Sequence, residues 1–156
     1  MEVLPSSTDE QIRVTAMDPV TLQSRDLRRS VRFYARVFGF RPVADSHERQ
    51  RALVLHDARS GACLAIRCSD DGAVAQKRRW NVFVADLDDV RETLWNKGLV
   101  PIDAALSAPS DRGGRRFLVV RDPDGHEIEL VERPRSAQRE PPAVPCAGAR
   151  RAACGA

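Results

Sequence analysis

The sequence predicts an α+β fold built from two tandem βαβββ modules, and an internal repeat is the first observation behind that prediction. Residues 20–27 lead into residues 30–40, and about sixty residues later residues 82–87 lead into residues 89–99. Each copy has the pattern of a strand, an Asp-Leu step, a helix and a closing glycine. A unit of about 60 residues buries too little surface to be stable alone. We therefore expect the two copies to share one core.

A hairpin signal near the end of the second copy is the second observation. Asp-Pro-Asp-Gly at residues 122–125 combines a proline, which fixes φ, with a glycine that is free to adopt positive φ. Short β-rich runs flank this turn at residues 117–120 and 128–131. Alternation along the second run places Ile128 and Leu130 on one face of a strand. The opposite face carries Glu127, Glu129 and Val131.

The first helix is predicted by an amphipathic stripe of helical period. Its apolar members are Leu27, Val31, Tyr34, Ala35 and Phe38. The second helix has a weaker stripe, formed by Val90, Leu94 and Trp95. Ser30 and Asp89 are candidates for early-turn or capping residues. Gly39 and Gly98 suit the left-handed position that follows a helix.

Three strand-like runs are expected after each helix. In the first copy they are residues 41–45, 51–56 and 62–68, and in the second they are residues 101–105, 115–121 and 126–132. Gly61 and Gly125 occupy the same hairpin turn in the two copies. A single domain is therefore predicted at residues 14–132, with module one at 14–69 and module two at 79–132.

The two ends of the chain differ in composition from this domain. Residues 1–13 are polar and are predicted to form a flexible N-terminal extension, and residues 12–15 suit a short edge strand. Residues 133–156 are rich in Pro, Ala and Arg and contain almost no large apolar side chains. Such a segment cannot bury enough surface to offset the entropy lost on ordering, so we expect a disordered tail.

Composition and charge exclude several classes of protein. No run approaches the ~20 apolar residues of a membrane span, and the N-terminus lacks the order of a secretion signal, so a cytoplasmic protein without a membrane partner is predicted. The net charge is only +3, and Arg28, Arg29 and Arg32 suit a solvated helix face better than a nucleic-acid site. The cysteine spacing predicts neither a metal site nor a disulfide framework.

Two motifs carry a resemblance to a known family. Asp26-Leu27, Ser30-Val31, Phe33-Tyr34 and Phe38-Gly39-Phe40 stand at the front, and Asp-Pro-Asp-Gly-His-Glu-Ile-Glu-Leu occupies residues 122–130. This order resembles the vicinal oxygen chelate superfamily, which includes glyoxalase I, extradiol dioxygenases, fosfomycin-resistance transferases and bleomycin-resistance binding proteins. The resemblance implies a cupped mixed sheet with the helices on its convex side, and a homodimer. It leaves the activity open, because the same scaffold hosts enzymes and binding proteins.

The metal enzymes of this superfamily draw their ligands from four strand positions, and three of them are altered here. The resemblance places Pro19 and Arg79 where histidines stand, and Ala65 where a glutamate often stands; only Glu129 keeps a ligand-type side chain. A catalytic divalent site needs about three protein donors, and an arginine repels the ion. His47, His56 and His126 do not obviously restore the set, and His126 is expected to be solvated. We therefore predict no metal and no other cofactor.

A metal-free site is predicted around the same positions. If Arg79 and Glu129 both face the cavity, the guanidinium should neutralise the carboxylate through a two-pronged hydrogen bond. We assign these two residues the catalytic or central role. Alternation also predicts a set of ligand-binding side chains on the cavity wall. They are Thr21, Gln23, Cys63, Arg67, Asn81 and Phe83. The plain alternative is that these side chains satisfy one another in a closed cavity.

Three functions are compatible with these residues. The first is a metal-independent protein that binds a small organic ligand or antibiotic, because three metal ligands are missing from an intact pattern. The second is a lyase, isomerase or dioxygenase, with an unconventional metal site or with Glu129 as a base and Arg79 as an oxyanion-stabilising group. The third is an interaction module that uses its basic tail as a tether. A small organic molecule is the partner that the first two share.

Overall fold

The protein is described here by a computed structural model, which covers residues 10–43, 51–74, 76–102, 110–112 and 115–133. The predicted tail beyond Arg133 and residues 1–9 of the predicted N-terminal extension lie outside these residues. The helices are α1 (Leu27–Phe38) and α2 (Leu87–Asn96). The strands are β1 (Val14–Met17), β2 (Val20–Ser24), β3 (Arg41–Pro42), β4 (Ala52–His56), β5 (Cys63–Cys68), β6 (Arg79–Val84), β7 (Ser110–Arg112), β8 (Arg115–Arg121) and β9 (Glu127–Glu132).

The described strands form two mixed sheets of the same design. Module one has the order β2-β5-β4-β3, with β2 parallel to β5. Module two has the order β6-β9-β8-β7, with β6 parallel to β9. In each module a helix connects the first strand to the rest, so the α+β class and the βαβββ repeat predicted from the sequence are confirmed.

One strand crosses the boundary between the modules. β1 precedes module one in the sequence, but it lies antiparallel to β6 at the edge of module two's sheet. Ala16 is opposite Phe83 and Met17 is opposite Val82. The short edge strand expected near residues 12–15 is therefore present two residues later. Its pairing closes the exposed edge of β6.

Both helices begin at an aspartate. The Asp26 side chain accepts a hydrogen bond from the Arg29 amide, and that of Asp86 accepts from the amides of Asp88 and Asp89. Ser30 and Asp89 lie in the first turns, which is the early-turn alternative of the prediction. The Asp of each Asp-Leu step caps instead, because its backbone is extended, with φ of −144° and −145°.

The strand prediction is least accurate after α2. Pro101 and Ile102 are not in a strand, although the Ile102 amide donates to the Val119 carbonyl at 2.8 Å, and residues 103–105 lie outside the described part. The first strand after α2 is β7, which pairs antiparallel with β8. In module one, β3 is reduced to Arg41–Pro42, and residues 44–45 again lie outside the described part.

One core joins the two modules, as the repeat predicts. Alternate residues of both sheets point towards the helices and are buried: Leu22, Leu64 and Ile66 from module one, and Trp80, Val82, Ile128 and Leu130 from module two. The rings of Tyr34 and Trp80 lie 6.3 Å apart across the junction. The other face of each sheet is left for the predicted site residues. No helix in the described residues is long and apolar enough to cross a membrane.

Candidate ligand-binding site

Arg79 and Glu129 meet on the face of module two's sheet that is turned away from the helices. Arg79 Nε donates to Glu129 Oε2 at 2.9 Å, and its Nη1 lies 3.8 Å from Glu127 Oε2. The predicted contact is present, but the predicted two-pronged bond to Glu129 is wrong. Arg79 is in register with Glu127, two residues before Glu129, so its guanidinium is divided between two carboxylates. The Arg79 side chain is 47% exposed, whereas that of Glu129 is only 18% exposed.

The positive and negative charges at this end of the face nearly balance. Arg121 on β8 forms an ion pair with Glu127 at 3.2 Å, so two arginines flank Glu127 and Glu129 of β9. Arg79 engages Glu129 through Nε and lies 3.8 Å from Glu127 through Nη1, while its side chain as a whole remains 47% exposed. Such a guanidinium can still grip a carboxylate, a sulfonate or a carbonyl of a ligand.

The other end of the same face is apolar. Phe83, Phe117, Val119 and Val131 form a buried cluster with Ala16 packed against it. The guanidinium carbon of Arg133 lies 3.9 Å above the centre of the Phe83 ring, a cation–π contact. The face therefore changes from charged to apolar along β6, from Arg79 to Phe83. A flat molecule with one polar end matches that gradient.

Asn81 lies between these two ends and has a partner that the sequence analysis missed. Its Nδ2 donates to Asp18 Oδ2 at 2.8 Å, and the Asp18 amide donates to the Asn81 carbonyl at 3.1 Å. Asp18 immediately precedes Pro19 and joins β1 to β2. The sequence feature that could have indicated this contact is the position of Asp18, one residue before the altered metal-ligand position Pro19. The pair ties the start of module one to the centre of β6.

The predicted residues of module one share the corresponding face of their own sheet. Gln23 lies beside Arg67 and Thr21 beside Ala65 in the parallel register of β2 and β5, and Thr21, Gln23 and Arg67 are exposed. Among the described contacts, none links these three side chains to Arg79 or Glu129. The half-buried Cys63 is disulfide-bonded, which the cysteine spacing did not predict. Its sulfur is therefore already engaged.

The metal-ligand positions do not fit a divalent ion. Pro19 and Ala65 supply no side-chain donor, and Glu129 is bonded to the cation of Arg79. Within the part of the chain that the structure describes, no group of three or more His, Cys, Asp and Glu side chains could hold a metal. A positive guanidinium at this place would repel an incoming cation.

A buried polar network joins the modules behind this face. Tyr34 Oη donates to Asp122 Oδ2 at 2.8 Å, while Ser30 Oγ and Arg25 donate to Asp124. Burial and the nearby charge of Asp122 hold the pKa of Tyr34 well above its usual value. Burial likewise raises the pKa of Asp122. Burial also acts to raise the pKa of Asp124, but hydrogen bonds from Arg25, Ser24 and Ser30 outweigh it and hold that pKa below its usual value.

His126 belongs to the same network, and the expectation that it is solvated was wrong. The ring is 0% exposed and bonds to the backbone of both modules.

Two cavities of about 520 and 510 Å³ lie elsewhere on the molecule. The first lies between the N-terminal segment and α2, and the second beside the turn of residues 122–125. Neither is lined by Arg79, Glu129 or Phe83.

Solved structures with this fold include proteins of several kinds. TnmS3, an antibiotic binding protein from Streptomyces sp. CB03234, is 20% identical with a TM-score of 0.60, covering 73% of this chain and 92% of its own. TioX from Micromonospora sp. ML1 is 24% identical with a TM-score of 0.58, covering 73% and 95%. The fosfomycin resistance protein FosX from Mesorhizobium loti is 23% identical with a TM-score of 0.52, covering 74% and 90%. These similarities show the fold alone.

No curated protein sequence matches the chain. The family model of the Glyoxalase/Bleomycin resistance protein/Dioxygenase superfamily, in contrast, matches residues 16–130. That range includes nearly all of both modules, with the Asp-Leu steps and the Asp-Pro-Asp-Gly turn. The chain therefore belongs to the Glyoxalase/Bleomycin resistance protein/Dioxygenase superfamily.

Proposed function

We propose that this protein binds a small organic molecule without a metal ion, on the face that runs from Arg79 to Phe83. The observation that carries the proposal is the ion pair of Arg79 and Glu129 at two of the metal-ligand positions, beside an apolar cluster. The ligand class is a flat, largely apolar molecule with an anionic or carbonyl group at one end. Sequestration of an antibiotic or a similar natural product is the activity that this class suggests.

The two ends of the face would contribute differently to binding. The exposed donors of Arg79 would bond the polar group of the ligand, and a hydrogen bond to a charged group contributes about 1.5–3 kcal/mol. The apolar end would add contact with the edge of the Phe83 cluster. Its members are only 3–9% exposed, so at roughly 25 cal/mol per Å² of apolar surface this contribution is the smaller one. Glu129 would hold the Arg79 side chain in place before the ligand arrives, which lowers the entropy cost of binding.

We also propose a homodimer. The face of module one exposes Thr21, Gln23 and Arg67, together with Val54, which is 37% exposed. In a dimer, the second copy would cover this exposed wall. TnmS3 and FosX, which have the same fold, are by name an antibiotic binding protein and a resistance protein.

The test is binding of anthraquinone-2-sulfonate, with the neutral 2-(hydroxymethyl)anthraquinone as the matched ligand. We expect the sulfonate to bind more tightly, with and without EDTA. Arg79→Gln should weaken the sulfonate at least about tenfold, because a charge-assisted bond is lost, and should leave the neutral compound nearly unchanged. Arg91→Gln, on α2 and away from the site, is the control variant. Equal affinity of Arg79→Gln and the unaltered protein for the sulfonate, or loss of binding in EDTA, would refute the proposal.

An enzyme is the second candidate, and the partial burial of Glu129 favours it. A carboxylate that is 18% exposed and lies beside a guanidinium can act as a base that takes a proton from a bound substrate. Substitution of Glu129 by Gln separates the two functions. In a binding protein, the variant should keep its affinity for the sulfonate, because the Gln amide oxygen can still accept the bond from Arg79 Nε and hold the guanidinium in place. In a lyase or isomerase, it should bind and lose turnover.

A further inference from the structure

His126 joins the two modules from a fully buried position. It follows the Asp-Pro-Asp-Gly turn and immediately precedes β9, and its side chain is 0% exposed. The Arg78 amide donates to Nδ1 at 2.9 Å, and Nε2 lies 2.6 Å from the Gln23 carbonyl. Gln23 belongs to β2 of module one, and Arg78 leads directly into β6 of module two. One imidazole therefore bridges the first strands of both modules.

The two partners fix the protonation pattern of the ring. A backbone N–H can only donate, so Nδ1 accepts and carries no proton. The Gln23 carbonyl can only accept, so Nε2 carries the proton and donates it. Both ring nitrogens are satisfied, and neither needs water. The backbone of His126 is fixed as well, because its amide donates to Asp122 Oδ1 at 2.9 Å.

The bridged residues are neighbours of the candidate site. Gln23 itself presents its side chain on the face of module one that carries Thr21 and Arg67. Arg78 is one residue before Arg79, whose guanidinium is central to the face of module two. The rigid ring thus sets the distance between the backbones that carry these two side chains. A shift of either strand would need one of its two hydrogen bonds to break.

We propose that His126 is a positioning residue, which holds Gln23 of β2 and Arg79 of β6 in the mutual arrangement that the ligand requires. The proposal rests on the proposed binding function for its consequence, but the placement itself can be measured without a ligand. His126 is fully buried, so it contacts no ligand and acts only through the two strands. Its action differs from that of core packing because it depends on two directed hydrogen bonds with separate partners.

Two substitutions separate the two hydrogen bonds. The Asn Oδ1 atom occupies the place of Nδ1, so His126→Asn keeps the bond from Arg78 and loses the bond to Gln23. The Gln side-chain amide reaches the place of Nε2, so His126→Gln keeps the bond to Gln23 and loses the bond from Arg78. Thermal melting of both variants shows whether each one folds, so a variant that fails to fold is recognised by comparison with the other.

Amide hydrogen exchange on the full chain tests the placement. We expect the Arg78 amide to exchange about tenfold faster or more in His126→Gln and to keep its protection in His126→Asn, because only the first variant loses the acceptor. We also expect the nitrogen spectrum of the unaltered ring to show the Nε2–H tautomer. Equal protection of Arg78 in both variants, or the Nδ1–H tautomer, would overturn the bridge.

Binding of anthraquinone-2-sulfonate tests the consequence through a double-mutant cycle. His126→Asn should weaken binding about tenfold, equivalent to about 1.4 kcal/mol, and should cost much less in a Gln23→Ala background, because it acts through Gln23. Additive losses would show that His126 supports the fold in general and does not position Gln23. If the unaltered protein does not bind this probe, the proposed function fails, and the exchange result alone decides whether His126 holds the strands.

Discussion

Tyr34 shows at the scale of one residue how the fold uses a polar group inside a core. Its ring packs in the apolar core that both modules share, while its hydroxyl donates to Asp122 at 2.8 Å. Removal of the hydroxyl proton would place two negative charges side by side in a buried position. That conflict is why burial, and then Asp122, raise the pKa of Tyr34 well above its usual value.

This environment predicts a loss of stability at alkaline pH. Because the folded pKa is raised, the contribution of Tyr34 to stability is complete below the unfolded value of about 10 and is lost as the pH rises above it. Tyr34 is the only tyrosine in the chain, so tyrosinate absorbance reports its ionisation directly. We expect this absorbance to appear together with unfolding, and Tyr34→Phe to show a shallower alkaline decline. Ionisation near pH 10 in the folded protein would contradict the prediction.

At the scale of the element, the glycines that follow the two helices have the same backbone conformation but different neighbours. Gly39 ends α1 with φ +74°, and Gly98 follows α2 with φ +69°. A Cβ on Gly39 would meet the side chain of Gln11, which donates to the Ala35 carbonyl at the end of α1. A Cβ on Gly98 would meet no atom within 4 Å.

The two glycines therefore form a matched pair for mutation. Each Gly→Ala change forces a positive φ on alanine, which costs roughly 1–2 kcal/mol of unfolding free energy. Gly39→Ala should cost more than Gly98→Ala, because it also displaces Gln11 from its hydrogen bond. Urea unfolding of both variants measures the difference, and Gln11→Ala should reduce it. Equal losses would mean that the contact with Gln11 has no energetic weight.

The whole molecule is held at its centre by polar contacts between modules as well as by the shared core. Asp124 of module two accepts hydrogen bonds from the Arg25 backbone and side chain and from Ser30 of module one. These bonds exceed the effect of burial and lower the pKa of Asp124. Asp122, two residues away, has its pKa raised by burial, so the two carboxylates affect acid stability in opposite directions.

Acid unfolding of Asp124→Asn isolates the effect of Asp124 on stability. Because the folded pKa of Asp124 is lowered, its contribution to stability is present above the unfolded value of about 3.9 and is lost as the pH falls through the folded value. We expect the variant to be less stable than the unaltered protein at pH 7, by about 1–3 kcal/mol. The difference should shrink below about pH 4. A constant difference from pH 7 to pH 3 would contradict this assignment.

The parts of the fold that rest on local patterns could be predicted from the sequence. Period-two alternation assigned the faces of β2, β5, β6 and β9, and it brought Glu129 and Arg79 together on one face. The parts that depend on distant neighbours were missed. His126 bonds to Gln23 across 103 positions, and Asn81 bonds to Asp18 across 63. A solvated histidine and a buried one have the same local sequence, so only packing distinguishes them.

The pairing of β1 with β6 has a consequence for how the two halves can be rearranged. β1 comes before module one in the chain but completes the sheet of module two, so a cut at residues 70–77 separates this strand from the sheet it completes. The halves of this duplicated architecture are consequently no longer interchangeable blocks. A recombinant that received only residues 79–132 would inherit an open sheet edge, whereas a viable exchange has to carry the N-terminal strand along with the C-terminal half.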